Sequence, residues 1–186
     1  MKQIIYTVLM VLLTITTTRA QRMLPKQKGL ELSTGSLSNE KIGTDYYIGV
    51  SITVNGRKGN YQIWGLEYIH KVHGYKSTRI LQQTIIAEGG YSFFLLGDAQ
   101  RNIALNFGLT GIVGYESLNR GQQMLYDGAK ILNEDNFIYG AGGRLSLETY
   151  LSDHFILLLQ GRARALWNTD MEQFRPSLGI GIRYNF

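Results

Sequence analysis

Three histidines are the residues of this chain best suited to acid–base chemistry, because imidazole titrates close to neutral pH. His70 and His73 flank Lys71, and His154 follows Asp153 directly. General acid–base catalysis needs a partner held within hydrogen-bond distance of the imidazole. Nothing in the sequence fixes such a partner, and a His-x-Ser pair on a strand is absent. We therefore expect solvated histidines and assign no catalytic residue.

Carboxylates that could bind calcium are the second candidates for chemistry. Glu116, Asp127, Glu134 and Asp135 fall within residues 116–136, but they lack a regular ligand spacing around a glycine turn. The chain contains no cysteine, which excludes disulfides, thiolate metal sites and lipid attachment to an N-terminal cysteine. The sequence therefore predicts neither a metal nor a cofactor.

The first 20 residues have the layout of a secretory signal peptide. Lys2 precedes an apolar stretch, residues 4–15, which is shorter than the roughly 20 residues of a spanning helix. Cleavage is expected between Ala20 and Gln21. The mature chain then has the size of one domain, with 17 basic and 14 acidic residues. A net charge of +3 from scattered residues does not favour direct nucleic-acid binding.

The mature chain alternates apolar residues with polar or small ones, which predicts β-strands. The pattern is unbroken from Leu178 to Phe186, whereas Ile156 and Leu158 interrupt it further upstream. The 22 glycines also favour twisted strands and tight turns over helices. About eight strands are predicted, near residues 30–32, 46–54, 61–70, 80–91, 103–115, 137–151, 155–167 and 177–186.

The connections between these strands are expected to alternate in length. Short inner turns are predicted at 55–60, 97–101 and 152–153, and outer loops at 38–44, 70–77, 116–136 and 168–173. Long outer loops and short periplasmic turns are typical of a transmembrane barrel that has both termini in the periplasm. The pattern therefore predicts an all-β protein, a single antiparallel transmembrane β-barrel of the outer-membrane type, over residues 29–186.

Alternation alone does not tell which face is inside, since a soluble barrel would bury its apolar face. The polar face consists mainly of Gly, Ser, Asn and Thr, and it lacks the dense Lys and Glu of a solvated surface. Such residues suit the crowded interior of an eight-stranded barrel. We therefore expect an internal ion-pair network instead of a water-filled pore. Its members would be Glu88, Glu116, Arg144, Glu148, Arg162, Arg164 and Arg183.

Aromatic residues of the apolar face cluster near the predicted strand ends, as in the interfacial belts of membrane barrels. They are Tyr46, Tyr91, Tyr115, Phe137, Trp167, Tyr184 and Phe186. These belts and the apolar face between them predict contact with the lipid of the outer membrane.

The last eight residues resemble the C-terminal signal that the outer-membrane barrel assembly machinery reads. Gly181, Tyr184 and Phe186 carry the resemblance, and Gly179 departs from it because a polar residue is usual there. The resemblance implies that this machinery is a partner of the chain.

Residues 21–31, QRMLPKQKGLE, resemble the opening of the conjugative-transposon TraO family. The length, the leader and the Phe-terminated last strand agree with that family. The resemblance implies a non-enzymatic component of a conjugative DNA-transfer apparatus in the outer membrane of a Gram-negative cell, with other conjugal transfer proteins as partners. Residues 21–28 would form a periplasmic arm, and its candidate docking residues are Arg22, Met23, Leu24, Pro25 and Lys26.

Two other functions remain open at this point. A small outer-membrane barrel could serve as an adhesin or a minor porin, unrelated to DNA transfer. A lipid-modifying enzyme of the outer leaflet is the third hypothesis, and it would depend on His70 or His73. The arm itself could equally be a solvated tail.

Overall fold

The computed structural model describes residues 24–37, 45–75, 78–98, 102–118, 136–169 and 171–186. The predicted signal peptide, its cleavage residues Ala20 and Gln21, and Arg22 and Met23 of the predicted arm lie outside them. The strands are β1 (Lys28–Leu37), β2 (Tyr46–Asn55), β3 (Tyr61–Tyr75), β4 (Thr78–Gly97), β5 (Ile103–Leu118), β6 (Asn136–Tyr150), β7 (Phe155–Trp167) and β8 (Phe174–Asn185).

Every strand pairs antiparallel with its neighbour in sequence, and β1 pairs with β8 to close the barrel. The closing register runs from Gly29 opposite Asn185 to Leu37 opposite Ser177. Closure pairs both edges of the sheet, so the backbone polar groups of the wall have partners within the sheet. This architecture confirms the predicted antiparallel barrel of eight strands. No helix within the described ranges is long and apolar enough to cross a membrane.

The two ends of the barrel differ, and we name them by their connections. The turn end carries the short connections 56–60, 98–102 and 151–154, together with the start of β1 and the end of β8. The loop end carries the other connections. The connections 56–60 and 151–154 agree with the inner turns predicted from the sequence, whereas residues 99–101 of the third lie outside the described ranges. Predicted loop 38–44 and residues 119–135 lie outside the described part of the chain.

The face of each strand that carries the apolar residues points outward. The small and polar residues of the opposite face predicted this orientation. Leu32, Ile48, Leu147 and Ile180 are exposed on the wall, whereas the residues between them in sequence point into the barrel. Six of the seven predicted belt aromatics are also exposed, and Tyr91 is half-buried. The outside of the barrel is therefore an apolar surface.

The predicted outer loop 70–77 is wrong, because the hairpin of β3 and β4 continues through most of it. His70 pairs with Tyr46 on one side and Gln83 on the other, and the β3–β4 ladder runs to Tyr75 opposite Thr78. Strands of 15 and 20 residues exceed the 9–11 that cross a bilayer. The part of the β3–β4 hairpin that extends beyond a bilayer needs no apolar face. The alternation of apolar and polar residues therefore did not reveal that these strands continue.

Tyr47 illustrates how glycines make room for large side chains inside the narrow barrel. Its side chain is fully buried and lies against two residues of the β1–β8 seam. A Cβ atom on Gly179 would come within 2.0 Å of the Tyr47 hydroxyl oxygen, and one on Gly35 within 2.7 Å of its ring. The ring therefore occupies space that exists only because these positions lack side chains.

We expect the substitution Gly179→Ala to destabilise the barrel, because the added methyl group would displace the Tyr47 ring. Overpacking of this kind costs roughly 1–3 kcal/mol. Gly161→Ala is the matched control, since no heavy atom lies within 4 Å of its added Cβ. Denaturant unfolding of the refolded protein in detergent measures both. Equal unfolding midpoints for the two variants would contradict the packing described for Tyr47.

Candidate functional site

The interior nearest the turn end holds a compact network of four charges. Arg183 donates to Glu31 at 2.9 Å through Nη2 and to Glu148 at 3.1 Å through Nη1. Arg144 donates to the other oxygen of Glu31 at 3.0 Å. All four side chains are buried, and two positive charges face two negative ones. We call this group the turn-end network.

Neutral side chains complete the turn-end network. Tyr61 donates a hydrogen bond to Glu148 and accepts one from Arg183 at 2.9 Å, and the Arg183 guanidinium lies 4.3 Å from the centre of the Tyr61 ring. Gln160 donates to Glu31 at 2.7 Å. Arg144 is the least satisfied member, because its Nε and Nη2 have no hydrogen-bond partner among the described residues.

A second network, the middle network, lies further along the barrel towards the loop end. Arg164 donates two parallel hydrogen bonds of 2.5 and 2.9 Å to Glu67, and its Nη2 lies 3.4 Å from a carboxylate oxygen of Glu88. Arg162 donates to Glu67 and, at 3.0 Å, to Ser33. This group again contains two arginines and two glutamates, all buried. Bidentate charged hydrogen bonds of this type are the strong ones.

A ring of apolar side chains follows the middle network on the way to the loop end. Strands β1 to β7 each contribute one buried residue to it, and together these residues pack as one cluster. We call it the apolar ring. Its members are Leu37, Tyr47, Ile69, Ile86, Ile112, Ile138 and Leu166.

On the loop-end side of the apolar ring, a third group of polar side chains binds Glu116. Arg175 pairs with it at 2.7 Å, and Gln82 and Thr169 donate to it at 2.7 and 2.8 Å. Arg175 also donates to the Thr169 hydroxyl at 2.9 Å. These contacts tie the connection between β7 and β8 to the mouth of the barrel.

All seven residues predicted to point inward are buried in the barrel. The structure does not bring them together in one network, however, because Glu116 lies on the far side of the apolar ring. Sequence reasoning missed Glu31, Glu67 and Arg175, which are the counterions of most of these residues. The signal was present for Glu31 and Glu67, since each stands between two apolar wall residues of its strand.

The histidines and the C-terminal residues lie in other surroundings. His70 stacks on Tyr46 at 4.9 Å between ring centres, and His154 stacks on Tyr184 at 5.6 Å. Gly181 faces the interior, whereas Tyr184 and Phe186 are exposed at the turn end. Within the described part of the chain, no three His, Cys, Asp or Glu side chains converge on a place that could hold a metal ion.

The predicted docking arm is described only from Leu24, followed by Pro25 and Lys26. Its backbone turns back on itself, with Gln27 N 3.1 Å from the Leu24 carbonyl oxygen, and it attaches to the end of β2. The Lys26 amide donates to the Asn55 carbonyl oxygen at 2.7 Å. This part of the arm is therefore joined to the turn end of the barrel.

A closed antiparallel barrel of eight strands, with an apolar wall and a charged, packed interior, defines a small β-barrel of the outer-membrane type. The N-terminal barrel domain of Pseudomonas aeruginosa OprF aligns at 11% identity with a TM-score of 0.54, over 87% of this chain and 98% of that one. Neisserial surface protein A aligns at 16% identity with a TM-score of 0.54, over 86% and 95%. Ail, the attachment invasion locus protein of Yersinia pestis, aligns at 9% identity with a TM-score of 0.52, over 88% and 100%.

At these identities the likeness concerns the fold alone. The family follows from a separate comparison, in which the model of the conjugative transposon protein TraO matches residues 24–186. The chain therefore belongs to the TraO family, as the resemblance of its mature N-terminus implied. Curated protein sequences give no match.

We expect Glu31→Gln to destabilise the barrel strongly, because it would leave Arg183 with one charged partner and Arg144 with none. Removing one partner of a buried ion pair costs about 3–5 kcal/mol. Glu172→Gln is the matched control, because its pair with Lys71 is 3.1 Å long but the Glu172 side chain is 60% exposed. An exposed pair contributes roughly 0–1 kcal/mol.

The measurement is the denaturant midpoint of each refolded variant in the same detergent. A Glu31→Gln midpoint as close to wild type as that of Glu172→Gln would show that the turn-end network does not stabilise the fold.

Proposed function

We propose that this protein is a non-enzymatic outer-membrane component of a conjugative DNA-transfer apparatus in a Gram-negative cell, with a structural or docking role. Membership of the TraO family supports the link to conjugation, and the likeness to outer-membrane barrels supports the location. Its immediate surroundings would be outer-membrane lipid, and its partners other conjugal transfer proteins.

The observation that carries the docking role is the filled interior. An eight-stranded barrel is only wide enough for side chains to fill, and here two neutral charge networks and the apolar ring occupy the bore. DNA has no room to pass, so any conduit must be built together with other proteins. The functional surfaces of this chain are then its two ends and its wall.

The turn end is the side we propose for docking. In an outer-membrane barrel the short turns and both termini face the periplasm, where the rest of a transfer apparatus must approach. The described part of the predicted arm, Leu24, Pro25 and Lys26, lies on this side and is attached to Asn55. Partners that meet the arm would therefore also meet the turns beside it.

We expect deletion of the gene from its mobile element to abolish transfer, and expression of the full chain in the donor to restore it. The measurement is transfer frequency from donor to recipient, with detergent and bile-salt sensitivity of the donor as the control for envelope integrity. Undiminished transfer after deletion would refute the proposed function. A general loss of envelope integrity would favour the alternative of a housekeeping barrel or porin.

The proposed C-terminal assembly signal, Gly181, Tyr184 and Phe186, leads to a second expectation. Phe186→Ser should reduce the amount of assembled, heat-modifiable barrel several-fold without affecting export, because it removes the last aromatic residue of the signal. Phe174→Ser is the matched control, since Phe174 begins β8, Phe186 directly follows its last residue, and the two are equally exposed, 62% against 63%. Equal assembly of both variants would argue against a signal at the C-terminus.

A further inference from the structure

Four basic side chains lie on two neighbouring segments of the turn end. Lys26 lies just before β1, and Lys28 is its first residue. Arg57 and Lys58 form the tip of the connection between β2 and β3. All four are exposed. Within the described residues, none of the four has an ion-pair partner. We call this surface the basic platform.

Backbone hydrogen bonds hold the two halves of the basic platform together. The Lys26 amide donates to the Asn55 carbonyl oxygen at 2.7 Å, and the Asn55 amide donates to the Gln27 carbonyl oxygen at 2.8 Å. The Asn55 side chain adds a bond of 3.3 Å to the Gln27 side chain. Since Asn55 is the last residue of β2, the approach to Arg57 and Lys58 is fixed relative to Lys26.

The tip of the platform is anchored as well. Gly56 donates to the Asn60 carbonyl oxygen at 2.7 Å, and the Asn60 side chain accepts a bond of 2.9 Å from the backbone of Phe94 in β4. A Cβ on Gly59 would lie 3.2 Å from the Phe94 side chain, so the turn packs directly on it. Arg57 and Lys58 therefore project from a turn that is held on both sides.

Two of the four basic residues adopt a backbone conformation that lysine disfavours. Lys26 has a φ angle of 71° and Lys58 one of 62°. Asn168 is the one other non-glycine residue with positive φ in the described ranges, and asparagine tolerates that region. Left-handed backbone costs an ordinary residue about 1 kcal/mol or more. Glycine or asparagine would fit with less strain, so lysine stands at both positions at a conformational cost.

We propose that the basic platform binds an acidic segment of a partner protein, an inference that rests on the proposed docking function. Arg57 and Lys58 lie beyond the last residue of β2, whereas the apolar wall of β1 and β2 ends near Leu30 and Ile52. Only Lys28 lies on the wall itself, opposite Val54 of β2. The platform therefore faces the periplasm more than the membrane, which favours a protein over an anionic lipid.

The contribution of each charge is small, because an exposed ion pair is worth less than about 1 kcal/mol. A fixed group of four acts jointly, and it raises the rate of encounter with an acidic partner in a salt-dependent way. We therefore expect a weakly bound, salt-sensitive complex.

The test uses a triple variant, Lys26→Asn, Arg57→Gln and Lys58→Asn, in the full chain. Asparagine at 26 and 58 removes charge while it suits the left-handed backbone, so the amount of assembled barrel should equal or exceed wild type. Lys71→Gln is the control, because it removes a positive charge that lies at the loop end. The barrels are reconstituted in vesicles of zwitterionic lipid, with the turn end accessible.

The binding probe is a fluorescent peptide of twelve alternating Glu and Ser residues, with a Gln-Ser peptide as its neutral counterpart. We expect wild type and Lys71→Gln to bind the acidic peptide at low salt and the triple variant to bind it about tenfold more weakly. Equal binding by the triple variant would overturn the proposal. So would unchanged peptide binding combined with loss of association with phosphatidylglycerol vesicles, which would assign the platform to lipid.

Transfer frequency separates this proposal from the proposed function. Loss of transfer on deletion, with at least tenfold lower transfer by the assembled triple variant, supports both. Loss on deletion with normal transfer by the triple variant overturns the basic platform alone. Normal transfer after deletion overturns the proposed function and, with it, the partner inferred here.

Discussion

Charge neutrality within a bore too narrow for bulk water is the constraint on which this structure depends. A buried charge without a partner would cost several kcal/mol. The barrel buries four arginines and four glutamates in the two networks on the turn-end side of the apolar ring. Each network contains equal numbers of both signs. The partners of an ion pair come from strands on different sides of the barrel, such as Glu31 on β1 and Arg144 on β6. The ion pairs therefore also hold opposite walls of the barrel at a fixed distance.

The order of the layers has a consequence for function. Charged groups that faced a continuous water column would form a selective channel, as they do in wider barrels. Here the networks are followed by seven apolar side chains that pack as one cluster, and the Glu116 group lies beyond them at the loop end. The interior therefore serves stability, and the surfaces left for recognition are the exposed ends and the wall. The proposed docking function would therefore use the outside of the barrel.

The barrel fold and the inward direction of its charged side chains were predictable from the alternation of apolar and polar residues and from the residue types on each face. The apolar parity of β8 and the small, polar composition of its opposite face predicted both the barrel and the direction in which Arg183 points. The apolar ring was not predictable, because Ile86 or Ile112 looks like any other apolar residue unless the register of seven strands is known. The same holds for Ile156 and Leu158, which interrupt the alternation because they fill the interior near the turn end.

The sequence indicated that Glu31 and Glu67 point inward, but it does not carry the information that pairs each with its arginines. Glu67 stands on the inward parity of a strand whose alternation is noisy, and its partners Arg162 and Arg164 lie more than 90 residues away. The basic platform shows the same limit, since Lys26 and Lys58 are separate in sequence and become neighbours only through the bonds to Asn55.

The central claim, a barrel sealed by its own side chains, is tested most directly by ion conductance across a planar lipid bilayer. Purified, heat-modifiable protein inserted into the bilayer should show no stable open-channel steps, because the apolar ring and the two neutral networks occupy the bore. Long-lived conductance steps of the size given by small porins, in proportion to the amount of folded protein, would contradict it.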